Sequence, residues 1–166
     1  MVVGGPGAGK STVAAALARR LDAPHVELDE LWWDPGWTPV GRDELRSRLT
    51  ERLGAERWVV DGNYFDEVAD LAWPSADTIV WLDLPRRVAV RRAVLRSARR
   101  ALRRSELWNG NRESLAVLSP VSIAGLARRW PTYSEEIALA IIQLDIADDV
   151  VTRLCGDAEV DRWSTS

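Results

Sequence analysis

Short apolar runs alternate with amphipathic stretches along most of the chain. Val2-Val3 opens as an apolar strand, and Gly4 to Gly9 make a glycine-rich turn. Over 10–21, Val13, Leu17 and Leu21 recur at i, i+4 and i+8, which predicts a helix with one inward face. Val26-Glu27-Leu28 reads as a short strand that delivers Asp29, and a tryptophan-rich loop runs from Leu31 to Trp37. Leu45, Leu49 and Leu53 predict a second helix over 42–53, which Gly54 is placed to end. Trp58-Val59-Val60 and Thr78 to Leu82 read as strands, ending at Asp61-Gly62 and at Asp83-Leu84-Pro85. A long arginine-rich helix is predicted over 88–104, with Val94, Leu95, Ala98 and Leu102 as its apolar face. The polar segment 105–120 carries Asn109-Gly110-Asn111, helices span 121–144 with a break near Pro131, a last strand covers 150–154, and a helix begins near 157. Brief strands alternating with helices indicate an α/β fold, a parallel sheet covered on both faces.

Composition narrows the class. The 166 residues suit one domain over 1–166, and 46% hydrophobic with 28% charged residues is globular usage. No apolar run reaches the ~20 residues of a membrane span. The first residues carry neither a basic region nor an apolar signal core, so a cytoplasmic location is expected. The one cysteine, Cys155, excludes an internal disulfide and a multi-cysteine metal site. A net charge of −3 does not favour general nucleic-acid coating. Lys10 is the only lysine among 22 basic residues. In so arginine-biased a chain, the surviving lysine marks a place where a compact ammonium is needed and a planar fork does not serve.

That lysine falls in Gly4-Gly5-Pro6-Gly7-Ala8-Gly9-Lys10-Ser11, a full match to G-x-x-x-x-G-K-[ST], between an apolar strand and an amphipathic helix. Glycines turn successive N–H groups inward, and the helix N-terminus adds partial positive charge. Gly5, Pro6, Gly7, Ala8, Gly9, Lys10, Ser11 and Thr12 are the candidate residues for binding ATP, with Lys10 on the β- and γ-phosphates and Ser11 on Mg²⁺.

Three aspartates follow predicted strands: Asp29, Asp61 and Asp83. Ligands sit beyond such strand ends, where a carboxylate takes a proton from an attacking hydroxyl or holds Mg²⁺. Asp29 is favoured as acceptor-side base or magnesium partner, Asp61 as metal partner, and a turn role suffices for Asp83. Between Arg86 and Arg104 nine arginines crowd one helix. One or two of them suit phosphoryl-transfer charge, most form a solvated face, and nucleic-acid or acidic-lipid binding is the further alternative. Trp58 and Trp81 read as core, whereas Trp32, Trp33 and Trp37 are either a wall for an acceptor ring or packing for their loop.

Together the phosphate loop, Leu28-Asp29-Glu30-Leu31-Trp32-Trp33 with Pro35-Gly36-Trp37, Trp58 to Asp61 with Gly62-Asn63-Tyr64, and Asp77 to Arg86 resemble the adenylate-kinase-like group labelled "topology modulation protein", in the nucleoside-monophosphate-kinase branch of P-loop proteins. The resemblance covers about 1–105. It implies a three-layer P-loop fold with a five-stranded parallel sheet of order 2-3-1-4-5, an acceptor-binding insert at about 30–57 and a small arginine-bearing helical lid at about 100–120. It implies ATP and Mg²⁺ as donor and cofactor, Asn63 and Tyr64 with Trp32, Trp33 and Trp37 on the substrate side, Arg92, Arg96 and Arg100 as lid-side catalytic arginines, and Arg128 or Arg129 as a later contact. Two places depart from adenylate kinases: Leu31-Trp32-Trp33 and Asn63-Tyr64-Phe65 stand where acceptor-phosphate arginines belong. An acceptor offering a hydroxyl, with Asp29 as its base, is therefore expected in place of AMP. The first strand is short by two or three residues against that pattern, so the start is expected to lie inside a longer frame. The expected protein is a monomeric kinase with a small-molecule acceptor, a nucleotide, nucleoside or hydroxylated metabolite. A nucleotide-dependent regulator that binds nucleic acid through the arginine helix, and a P-loop hydrolase without acceptor, are the alternatives.

Overall fold

A computed structural model describes residues 1–165. The elements in chain order are β1 (Val2–Gly4), α1 (Lys10–Leu21), β2 (His25–Glu27), α2 (Leu28–Trp32), β3 (Trp33–Asp34), β4 (Thr38–Pro39), α3 (Arg42–Leu53), β5 (Val59–Asp61), α4 (Phe65–Ala72), β6 (Ile79–Leu82), α5 (Arg86–Arg103), α6 (Pro120–Gln143), β7 (Val151–Leu154) and α7 (Asp157–Thr165). Two short 3₁₀ turns, Trp108–Gly110 and Leu115–Leu118, lie between α5 and α6.

Five strands form one parallel sheet in the order β2-β5-β1-β6-β7. The labels depart from 2-3-1-4-5 because the antiparallel ribbon β3–β4 is inserted between the second and third strands of the sheet. Val26 pairs with Val60, Val2 with Val80 and Trp81 with Arg153. Strand side chains alternate between faces, so each face has its own core. Val3, Val60, Ile79 and Trp81 pack with Leu45 and Leu49 of α3, Val68 of α4 and Ile137 of α6. Val2, Val59, Val80 and Leu82 pack with Val13, Ala14 and Ala18 of α1, and with Val160 of α7.

Several expected boundaries move. The second strand stops at Glu27, and Leu28 opens α2, so Asp29 sits in the first turn of a helix, not at a strand end. The tryptophan-rich loop is the end of α2 plus the β3–β4 ribbon, which turns at Pro35-Gly36. Leu21 is exposed, and α1 buries Ala14 and Ala18 in its place. Gly54 ends α3 in a right-handed conformation on a bond to the Glu51 carbonyl, without the left-handed twist that glycine usually supplies there. The helix over 121–144 does not break at Pro131: α6 is continuous, with Trp130 and Ile137 buried on either side of the proline, so tertiary packing overrides the lost backbone bond.

The apolar face expected on α5 is also replaced. Ala89, Ala93 and Ala101 are buried, whereas Leu95 and Leu102 are exposed. For Ala89 and Ala93 the reason is the phosphate turn. A Cβ on Gly7 would lie 2.1 Å from the Ala89 carbonyl, and one on Gly5 would lie 2.3 Å from the Trp130 ring. The backbones of α5 and the turn approach so closely that only small side chains fit between them, and Gly7 has no substitute there, since its φ is also +82°.

Candidate active site

The turn from β1 into α1 delivers Lys10 and Ser11 to the C-terminal edge of the sheet, at its central strand. Lys10 Nζ donates to the Gly4 carbonyl at 2.8 Å. Burial pushes its ammonium pKa down from the ordinary lysine value, while Asp61 and Asp29 act to keep the charge. Ser11 Oγ lies 3.4 Å from Asp61 Oδ1. Asp61 ends β5, is buried, and its other oxygen is 2.7 Å from His25 Nε2 on the neighbouring strand β2. That hydrogen bond raises the His25 pKa against the opposing effect of burial. Asn63, two residues on, braces the turn: its Oδ1 accepts from Gly4 N–H at 3.2 Å and its Nδ2 donates to the Gly4 carbonyl at 3.1 Å.

A cleft of about 630 Å³ opens over this turn. Pro6, Gly7, Gly9, Lys10, Ser11 and Thr12 form its floor, and Asp29, Trp32, Trp33, Asp61, Asn63 and Tyr64 line it as well. Tyr64 donates its hydroxyl to Asp29 Oδ1 at 2.6 Å. Burial first, then the Asp29 charge, pushes the Tyr64 pKa far up, so the phenol stays protonated and remains a donor. Its backbone φ of 38° is left-handed, a strained placement for a tyrosine, and it carries the chain from Gly62-Asn63 into α4.

Of the expected arginines, Arg96 and Arg100 line the cleft and Arg92 does not. Arg92 pairs with Asp157 at 2.8 Å and lines a second cavity of about 780 Å³ with Gly9, Thr12, Val13, Arg96 and Val160. Arg129 reaches the cleft, while the exposed Arg128 is not among its lining residues. Ala8 lines the second cavity, and Gly5 is covered by Trp130. Asp83 lies outside both cavities, bonded to Ser134 at 2.7 Å and to Arg153.

Trp37 is likewise absent from the cleft lining; it is a fastener. Its N–H donates to Asn111 Oδ1 at 2.8 Å and its indole N–H to the Arg112 carbonyl at 3.2 Å. Asn111 Nδ2 donates to the Asp34 carbonyl, and Asn109 Nδ2 to the carbonyls of Glu30 and Trp33. Trp108 donates its indole N–H to Glu27 at 2.9 Å, lines the cleft, and lies under the Arg100 guanidinium, 5.8 Å from the ring centroid. The loop after α5 is thus latched onto α2 and the ribbon. The expected turn Asn109-Gly110-Asn111 is there, but its asparagines hold two segments together across more than 70 residues of sequence.

Sequence reasoning missed His25, Glu67, Trp108, Tyr133 and Glu136, the last four of which also line the cleft. His25 alone carried a signal: it is the single histidine of the chain, one strand position from an apolar run. Glu67 and Glu136 read as ordinary helix-surface charge until the fold brings α4 and α6 to one rim. Among the described residues there is no cluster of three or more His, Cys, Asp or Glu able to hold a metal. The Ser11 hydroxyl with Asp61 still fits Mg²⁺, because phosphate oxygens and water supply the other ligands in such sites.

The fold is similar to that of solved structures. A shikimate kinase from Bacteroides thetaiotaomicron superposes with a TM-score of 0.57 at 20% identity, over 99% of this chain and 92% of that one. The fold agrees with that structure: a five-stranded parallel sheet flanked by helices, with the phosphate turn after its central strand. A gluconokinase from Sinorhizobium meliloti 1021 matches with a TM-score of 0.48 at 18% identity, over 99% of this chain and 91% of that one. Among curated proteins the chain is similar to the uncharacterized protein YqaC of Bacillus subtilis (strain 168), 31% identical over an alignment 85 residues long that covers 44% of this chain and 48% of that protein. The match thus spans about half the length of that relative. No protein-family profile matches the chain. Among the described residues, no helix is long and apolar enough to cross a membrane.

Proposed function

We propose that the protein is an ATP- and Mg²⁺-dependent kinase that phosphorylates a hydroxyl of a small molecule. The observation that carries this reading is the single cleft in which a phosphate turn with Lys10, Arg96 and Arg100 faces a hydrogen-bonded carboxylate, Asp29, and a wall of rings. The second cavity, beyond the turn and beside Arg92, suits the base and ribose of the donor. In the transfer, the acceptor oxygen forms a bond to the γ-phosphorus and the bond from that phosphorus to the β,γ-bridging oxygen breaks. ADP leaves with the electron pair, and Asp29 takes the hydroxyl proton. Mg²⁺, held at Ser11 and Asp61, neutralises phosphate charge when bound. Lys10, Arg96 and Arg100 stabilise charge on the equatorial oxygens. Tyr64 orients the Asp29 carboxylate, and Asn63 fixes the turn.

The acceptor is a hydroxyl compound and not a nucleoside monophosphate. Two arginines of α3, inside the expected acceptor insert, are already held: Arg46 by Asp70 at 2.6 Å, and Arg48 by Glu44 at 2.7 Å and Asp34 at 3.0 Å. The resemblance of residues 1–105 to the "topology modulation protein" group agrees with this reading. The test is ADP release from Mg²⁺–ATP across nucleoside monophosphates, nucleosides and hydroxylated metabolites. Stimulation by a hydroxylated compound is expected. Slow turnover indifferent to every acceptor would replace the kinase by a simple hydrolase.

A further inference from the structure

The cleft is electrically divided. Around the phosphate turn stand Lys10, Arg96 and Arg100, with Asp61 as the carboxylate that lines the cleft there and Glu113 bonded to Arg100 at 3.2 Å. Toward the acceptor stand Asp29, Asp66, Glu67 and Glu136, with Arg129 as the one cation. Arg129 is already engaged, 3.9 Å from Glu136 and 5.5 Å from the centroid of the Tyr133 ring. Asp66 and Glu67 sit in the first turn of α4, where they suit the helix dipole. That placement does not account for the rings beside them. Trp32 lies 5.5 Å from Tyr64 and 6.2 Å from Trp33, centroid to centroid, and all three line the cleft with Trp108.

Resting on the kinase reading above, we infer that the acceptor is a hydroxylated amine. Its hydroxyl meets Asp29, and its ammonium lies between Glu67 and the rings of Trp32 and Tyr64. An ammonium is drawn to an aromatic face within about 6 Å of the centroid, and to carboxylates in a cleft that excludes part of the solvent. A carboxylate or phosphate on the acceptor meets like charge there, which rejects it. The same division favours the triphosphate at the phosphate turn, since three of the cleft's four cations, Lys10, Arg96 and Arg100, gather there. The ammonium takes no part in the bond changes, which remain those at the hydroxyl oxygen, the γ-phosphorus and Asp29.

The test uses matched sets in which one scaffold carries an amine, a neutral group or a carboxylate: an amino sugar with its parent sugar and sugar acid, an amino alcohol with its diol and hydroxy acid, and the corresponding hydroxylated aromatics. Two readings are taken on the full chain, tryptophan fluorescence for binding and ADP release for turnover. ATP binding is titrated separately. The amine of at least one set is expected to bind about tenfold or more tightly than its neutral partner, with no binding by the acid, and Glu67→Gln is expected to narrow that ratio severalfold. ATP binding with an acid or neutral partner preferred, with no amine bound, or with a preference indifferent to Glu67→Gln, overturns this inference and leaves the kinase reading standing. Failure to bind ATP overturns the kinase reading and this inference with it.

Discussion

The two halves of the cleft are built by opposite strategies. The backbone cradle of the phosphate half is local: β1, the glycine turn and the first turn of α1 supply it from eight consecutive residues, 4 to 11, and α5 and β5 add only side chains, Arg96, Arg100 and Asp61. Its backbone donors need only a chain that can bend inward, and glycine supplies that. The acceptor half is assembled from four places: α2, the segment Asn63–Glu67, the loop after α5, and α6. Their lining residues, at 29–33, 63–67, 108 and 129–136, are widely separated in sequence. They are joined by side-chain bonds such as Tyr64 to Asp29 and Trp108 to Glu27. A local half of this kind is robust and generic. An assembled half is the one that sets specificity, because each piece can vary without disturbing the others.

The comparison breaks most sharply at Lys10. Lys10→Ala is expected to lower kcat/KM for ATP about 1,000-fold or more, since it removes a charge from both the bound phosphates and the transition state. The far-ultraviolet circular dichroism and melting temperature should stay near wild type, because the buried core does not use this side chain. Appreciable activity in this variant would remove the phosphate turn from the chemistry. Next comes the acceptor half. Asp29→Asn keeps the shape of the side chain and deletes the base, so kcat should fall about 100-fold with little change in the ATP dependence. Equal losses in the ATP term would show that Asp29 serves the donor and would erase the division between halves.

The same division governs what could be read without the structure. The motif of the phosphate turn was legible because its chemistry depends on spacing along the chain. The parallel sheet was legible because Val59-Val60 and Ile79 to Leu82 are apolar on both faces and so must be covered on both. The arginines were legible as a group, yet Arg92 and Arg96 were separable only by where α5 lands: one faces Asp157, the other the cleft. The inward face of α5 was misread because burial there follows the closeness of the phosphate turn and not side-chain size. The latch was illegible, since the bond from Trp37 to Asn111 crosses 74 positions. Nothing in either local sequence announces the other.

Breaking the latch should therefore injure the acceptor half alone. Asn111 is buried, and Asn111→Ala removes the acceptor of the Trp37 N–H and the donor to the Asp34 carbonyl. Leaving such groups unpaired costs about 1–3 kcal/mol. KM for the acceptor should rise about tenfold while KM for ATP barely moves, and backbone amides near 33–39 and 104–113 should exchange faster with deuterium. A uniform change across the whole sheet would mean that the latch is a stability element of the fold and not a feature of one half.

The smallest effect tests whether the halves sense each other through charge. Burial lowers the Lys10 pKa from the ordinary 10.5, and Asp61 and Asp29 oppose that shift. A lysine with a lowered pKa loses its proton at a lower pH than usual. ATP affinity of the free protein should then decline along an alkaline limb that begins below the ordinary lysine range. Asp29→Asn deletes one of the charges that keep Lys10 protonated, so the limb should move to still lower pH in that variant. Nucleotide affinity measured from pH 7 upward reads this without any need for turnover. A limb at the ordinary position would mean that Lys10 is solvated in the free protein. A limb unmoved by Asp29→Asn would mean that the acceptor carboxylate is screened from the phosphate turn, so that the two halves, built separately, also act separately until substrates bridge them.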